Sequence, residues 1–259
     1  MNKTTLKTRN ATCAEHGIFE SELQEQFSGD SIWSTCNRCH FDALHGHDPE
    51  ARTKAQDERD AKLVNKALLA SGIPLRFRLS TLDNYRTDFA AEQSGVLARC
   101  EQYAADFKTK WDAGASLMLL GSMGTGKTHL ACAIMQQVLR TEGLGGATAR
   151  YTTASEIIMS VKETFGRRER VESEVYADLH GPDLLVIDEI GVQHGSDFER
   201  QVLFEVINGR YCRLLPTILI SNLNLAEVRN FIGDRVIDRL CDGGGEVILF
   251  RWPSVRGEV

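Results

Sequence analysis

The run Gly121-Ser-Met-Gly-Thr-Gly-Lys127-Thr128 has the pattern GxxxxGK[ST], and its chemistry is the capture of nucleotide phosphates. The glycines (Gly121, Gly124, Gly126) let the main chain wind until consecutive N–H groups, that of Thr125 included, face one anion. A helix opening there adds partial positive charge. Lys127 then reaches the β- and γ-phosphates of ATP, and the Thr128 hydroxyl ligates Mg²⁺. Further along, Leu184-Leu-Val-Ile-Asp188-Glu189 ends an apolar run in two carboxylates. Asp188 suits the Mg²⁺ water shell, and Glu189 suits the orientation of an attacking water. Adjacent acids of this kind favour hydrolysis over phosphate binding alone. Asn222 follows another apolar run, which sets it beside the γ-phosphate and the lytic water. Arg235 and Arg239 share a helix face at i and i+4. Arginine stabilises charge developing on a transferred phosphoryl group; ion pairs with Asp234 and Asp238 are the alternative.

A second constellation lies near the N-terminus. Cys13-x₂-His16 and Cys36-x₂-Cys39 can close a tetrahedral CCHC zinc site, with His40, His45 and His47 as competing ligands. A metal would stabilise a segment too short to build its own core. The chain has seven cysteines, an odd number that argues against a disulfide framework. Cys100, Cys132, Cys212 and Cys241 are scattered singly and read as small buried hydrophobes.

Elements must position these groups. Apolar runs at 116–120, 147–152, 183–187, 217–221 and 246–250 read as strands. Helical periodicity covers 127–140, 155–165, 197–213, 225–231 and 234–240. Short apolar strands alternating with helices define an α/β fold, a mainly parallel sheet with helices on both faces. Residues 13–41 read as turn-rich. Residues 49–70 carry mixed charge and good helix formers and read as a linking helix, stopped by Ser71-Gly72-Ile73-Pro74. The expected organisation is a zinc-binding module at 1–48, the linker at 49–70 and a nucleotide-binding domain at 71–259. A net charge of −6 argues against coating nucleic acid through bulk charge, while leaving room for a local basic face. Without a secretory or bilayer-length apolar run, a cytoplasmic location is expected.

The motifs around the phosphate loop carry a family resemblance. KETF at 162–165, DLLVIDEIGVQ at 183–193, GDRVIDRL at 233–240 and FRWPSVR at 250–256 resemble the DnaC-type replicative helicase loaders of bacteria and phages, and SGIPLRFRLSTLDNY at 71–85 looks like their entry into the ATPase domain. The resemblance implies a P-loop AAA+ ATPase using ATP and Mg²⁺. It implies Arg239 as an arginine finger, Asn222 as the first sensor and Arg256 as a second nucleotide-sensing arginine. It also implies that Lys162 and Phe165 face single-stranded DNA, where a stacking aromatic beside a cation makes physical sense; a core position on an amphipathic helix is the alternative for Phe165. The sequence stops three residues after Arg256, so no C-terminal helical lid is expected and closure would depend on neighbouring subunits in a spiral or ring. The implied partner is the hexameric replicative helicase of DnaB type, bound through the N-terminal part, whose zinc is reminiscent of DnaI-type loaders. Arg38 is the only basic residue between 13 and 41, which favours protein over DNA as the target of that module. An IstB-like ATPase assisting a transposase, or a nucleotide-gated DNA-binding scaffold, are the competing functions.

Overall fold

The computed structural model describes residues 8–25, 31–45, 49–143, 146–165, 171–193 and 195–256. The chain divides into two compact units, Met1–Ala61 and Lys62–Val259.

In the first unit, β1 (Thr8–Cys13) and β2 (Gly17–Glu25) form an antiparallel hairpin, and β3 (Ser31–Trp33) pairs with β2. Much of the stretch expected to be turns is therefore strand. Gly17 (φ +75°) closes the hairpin turn in the left-handed region, where glycine carries no steric penalty. The Arg9 guanidinium lies 4.2 Å from the Trp33 ring centre. Helix α1 (Asn37–His45) follows, and α2 (Pro49–Ala70) begins in this unit and ends in the second. Proline at the start of α2 fits a position whose N–H needs no partner. The helix stops where the Ser-Gly-Ile-Pro run predicts.

Among the described residues, the second unit holds five parallel strands: β4 (Leu117–Gly121), β5 (Ala149–Thr153), β6 (Leu184–Ile190), β7 (Thr217–Ser221) and β8 (Glu246–Phe250), in the order β5-β6-β7-β4-β8. Each residue from Leu117 to Leu120 is fully buried, because the sheet is covered on both faces. Leu117 and Leu119 join one apolar cluster with Leu130 and Ile134; Met118 and Leu120 join another with Ile157, Leu203 and Val206. Each such side chain contributes about 1.5–3 kcal/mol on burial.

The covering helices are α3 (Glu92–Ala105), α4 (Phe107–Ala113), α5 (Lys127–Thr141), α6 (Ala154–Lys162), α7 (Glu172–His180), α8 (Asp197–Tyr211), α9 (Leu225–Ile232) and α10 (Asp234–Cys241). Thr153 with Glu156, Ser196 with Glu199 and Asn224 with Glu227 make capping boxes that fix where α6, α8 and α9 begin, each satisfying two orphan N–H groups. At the end of the sheet away from the phosphate loop, Arg210 is fully buried. It donates to the carbonyls of Leu179, Pro182 and Pro216 and to the Thr217 hydroxyl, which makes its burial tolerable.

Three differences from the sequence reading stand out. Helix α6 stops at Lys162, so Phe165 lies in a turn and not in the helix expected over 155–165. Strand β6 runs on to Ile190 through an irregularity after Ile187. Helices α3, α4 and α7 are not among the helices expected from the sequence. Among the described residues, no helix is long and apolar enough to cross a membrane.

Candidate nucleotide and metal sites

The phosphate loop connects β4 to α5. Gly124 (φ +76°) and Gly126 (φ +95°) hold left-handed conformations. A Cβ on Gly124 would come within 2.0 Å of Ser254 Oγ, and one on Gly126 within 2.6 Å of the Tyr85 ring, so both positions require glycine. Two donors clamp the loop from outside: the Tyr85 hydroxyl and the Trp252 indole N–H both reach the Thr125 carbonyl, at 3.0 and 3.2 Å. The Val255 N–H donates to the Gly124 carbonyl at 3.1 Å. The segment after β8 thus folds over the loop and carries Arg256 to its mouth.

Lys127 is almost fully buried. Its ammonium donates to the carbonyls of Gly121 (2.7 Å) and Ser122 (2.6 Å). Burial pushes its pKa down to about 8, opposed by the Asp188 carboxylate and assisted by Arg256. The Thr128 hydroxyl donates to Asp188 Oδ2 at 2.8 Å. The Tyr151 hydroxyl donates to the same oxygen at 2.8 Å, and the Glu189 N–H donates to Asp188 Oδ1 at 2.7 Å. Glu189 itself is exposed and has φ +60°, an uncommon conformation for a side chain of its size and one that marks functional sites. This turn sends two neighbouring carboxylates to different jobs, Asp188 inward and Glu189 toward solvent.

A cavity of about 430 Å³ gathers Gly124, Thr125, Gly126, Lys127, Thr128, Asp188, Glu189, Asn222 and Arg256. Asn222 reaches it because β7 lies between β4 and β6 in the sheet. Arg76, Phe77, Ser80 and His129 also line it; the first three lie in the 71–85 segment, whose resemblance marks an entry into the domain without assigning them to the site. The 71–85 segment is fastened to α5 by Gln136, which donates to the carbonyls of Phe77 and Ser80. Oxygen ligands from Thr128 and Asp188 fit a hard cation such as Mg²⁺, and inward N–H groups at a helix start fit phosphate.

Arg239, Lys162 and Phe165 do not line this cavity. The Arg239 guanidinium lies 4.8 Å from the Phe204 ring centre and 5.7 Å from that of Tyr211, with a buried Nη1 that has no hydrogen-bond partner among the described residues. Arg235 is exposed, whereas Arg239 is half-buried, so the two do not form one outward-facing pair. Asp234 pairs with Arg229 at 3.0 Å, not with either arginine. Phe165 is exposed and meets Phe198 edge-on at 5.6 Å, which removes the core alternative; the Lys162 ammonium lies 5.7 Å from the Phe198 ring centre.

The N-terminal ligands converge as well. Cys13, His16, Cys36 and Cys39 offer atoms all within 4.8 Å of one another. Cys13 and Cys39 sulfurs are 3.3 Å apart, and His16 Nδ1 is 3.7, 3.7 and 3.3 Å from Cys13, Cys36 and Cys39. Tetrahedral zinc with sulfur at about 2.3 Å has ligand–ligand edges of about 3.7 Å, so this set fits that ion. The contact between the two close thiols pulls Cys13 below the ordinary thiol range and pushes Cys39 above it. His16 presents Nδ1 to the cluster and Nε2 to Asp42 at 3.2 Å. His40 stays outside the set, and His47 lies outside the described residues.

A parallel sheet with a glycine-rich loop, paired acids on a neighbouring strand tip and a polar residue on the strand between them defines a P-loop nucleotide-binding protein of the AAA+ class. The sequence model of the family described as "IstB-like ATP binding protein" matches residues 53–242, and the chain belongs to that family. It is 33% identical over 202 residues to the Escherichia coli protein named "Replicative helicase loader DnaC", covering 78% of this chain and 79% of that one. The protein of that name from Buchnera aphidicola subsp. Acyrthosiphon pisum is 32% identical over 200 residues, or 77% of this chain and 78% of its own. Two solved structures share the fold. The "Crystal structure of the DnaC helicase loader" has a TM-score of 0.58 at 22% identity, covering 68% of this chain and 99% of that one. The "Crystal Structure of the DnaI" has a TM-score of 0.56 at 17% identity, covering 68% and 93%.

Proposed function

We propose that this protein is an ATP-hydrolysing helicase loader, placing a hexameric replicative helicase of DnaB type on single-stranded DNA at the start of replication. One observation carries the reading. A single cavity holds Lys127, Thr128, Asp188, Glu189, Asn222 and Arg256, in a chain one-third identical over most of its length to proteins named replicative helicase loaders. The loop N–H groups and Lys127 hold the phosphates, Thr128 and Asp188 hold Mg²⁺, and Glu189 and Asn222 orient the attacking water. Arg256 senses the nucleotide from the same chain. Arg239, outside its own cavity, completes the site of a neighbouring subunit when copies assemble on the helicase. Lys162 and the exposed Phe165 meet the DNA strand. Residues 1–48, with zinc on Cys13, His16, Cys36 and Cys39, dock the helicase; 49–70 link them to the ATPase domain at 71–259.

The test is reconstitution. The purified chain should capture a DnaB-type helicase and deliver it to single-stranded DNA in an ATP-dependent way, and Glu189→Gln should stall the complex with the loader still attached. Capture of a transposase instead, with no helicase bound, would move the protein to the transposition reading.

A further inference from the structure

Asp188 is held by three donors, two of which any chain with this pair of motifs could supply: the Thr128 hydroxyl and the Glu189 N–H. The third is the phenol of Tyr151, on the neighbouring strand β5, at 2.8 Å from Oδ2. No phosphate-loop or acidic motif calls for it. Tyr151 does not line the nucleotide cavity, so it meets the carboxylate from outside that cavity. Its own position is fixed twice. The ring packs against the apolar cluster beneath α5, and its main-chain N–H donates to the Ser71 carbonyl at 2.7 Å. Gly72 lies so close that a Cβ there would come within 2.9 Å of the Tyr151 carbonyl oxygen. Main-chain anchoring and ring packing together hold the phenol where it meets Asp188.

We infer that Tyr151 is a positioning residue for the divalent cation: its hydroxyl fixes the orientation of the Asp188 carboxylate and so sets the affinity of the site for Mg²⁺. A carboxylate buried to 6% exposure, with one oxygen shared between two hydroxyl donors, presents a single face to the cavity. Outer partners of metal-ligating groups act in this way, and losing one costs roughly 10–100-fold in metal affinity. The inference rests on the reading of the cavity as an ATP–Mg²⁺ site.

The experiment compares the full-length wild type with Tyr151→Phe, which keeps the ring and deletes the donor. Mn²⁺ binding to the nucleotide-loaded protein is followed by electron paramagnetic resonance, and Mg²⁺ by competition. Nucleotide affinity is measured separately in excess chelator. The expected result is a tenfold or larger rise in the dissociation constant for both cations, with metal-free ATP affinity within about twofold. Retained metal-free affinity doubles as the folding control. Unchanged cation affinity overturns the assignment. So does a metal-free affinity that falls as far as the cation affinity, since Tyr151 would then be holding the fold and not the ion. If wild type itself binds no nucleotide, the failure belongs to the site reading instead.

Discussion

The Thr128 hydroxyl sits 2.8 Å from Asp188 Oδ2, although the two residues are 60 positions apart. One opens α5 and the other ends the apolar run of β6, and β7 lies between their strands. The contact shows that the loop and the acidic strand tip are already brought to cation-binding distance by the sheet. The nucleotide therefore meets a preformed site and needs to order little.

Lys127 makes nucleotide binding depend on pH. Its pKa in the free protein is held near 8, chiefly by burial, and bound phosphates would raise it again. Below about pH 8 the lysine is charged in both states and ATP affinity is flat. Above it the free protein has lost a proton that binding restores, so affinity falls by up to about tenfold per pH unit. Calorimetry in buffers of different ionisation heat should detect proton uptake on the alkaline side. By the same linkage, the unliganded domain gains stability as pH rises from about 8 toward the ordinary lysine value. Lys127→Ala should abolish ATP binding without unfolding the domain. ATP affinity that stays level to pH 9, or a folded alanine variant that still binds, would show that Lys127 does not hold the phosphates.

Glu189→Gln should keep ATP and Mg²⁺ affinity near wild type while hydrolysis drops by roughly 10²–10⁴. The side chain points away from the buried Asp188, so cation binding and water activation are separable. Rapid-quench turnover beside equilibrium nucleotide binding gives the comparison. A matching loss of both would mean that Glu189 holds the cation.

Arg239 has a buried nitrogen without a partner among the described residues and lies outside its own chain's cavity. Arg239→Ala subunits mixed with Glu189→Gln subunits should regain ATPase activity that neither has alone, measured with helicase and single-stranded DNA present. Removing an arginine finger costs roughly 10³–10⁵ in rate, far beyond the effect of a surface ion pair at about 0–1 kcal/mol. Full activity of Arg239→Ala by itself, or no recovery in demonstrably mixed assemblies, would count against action in trans.

Zinc should copurify at about one ion per chain. Cys36→Ser should lose it together with helicase binding. Asp42→Asn should weaken it roughly 10–100-fold, because Asp42 orients His16 from behind. Affinity should fall in acid as protons compete for the thiolates. Elemental analysis of protein prepared without chelator decides the first point, and competition with a chromophoric chelator the others.

The sequence by itself determined the phosphate loop, the acidic pair and the order of the five parallel strands along the chain, since each is written in consecutive residues. A glycine pattern before an apolar helix, or four apolar residues before Asp188, needs no distant partner to be recognised. It also singled out Cys13, His16, Cys36 and Cys39 as one candidate ligand set, because metal sites impose short spacings, and the structure brings the four together. Tertiary structure decided what depends on neighbours far along the chain. The order β5-β6-β7-β4-β8 brings Asn222 between the two motifs, and the fold of 252–256 back over Thr125 brings Arg256 to the cavity they line. The same holds for Tyr151, Tyr85 and Arg76, whose place beside the site no spacing in the sequence announces and is set by the strand or loop they pack against. Arg239 is the clearest case. Its spacing with Arg235 suggested a shared outward face, but α10 packs against α8, and the rings of Phe204 and Tyr211 draw one guanidinium in while the other stays in solvent. Helical period fixes which residues are neighbours on a helix; which of them is covered is set by the surface that the helix lands on.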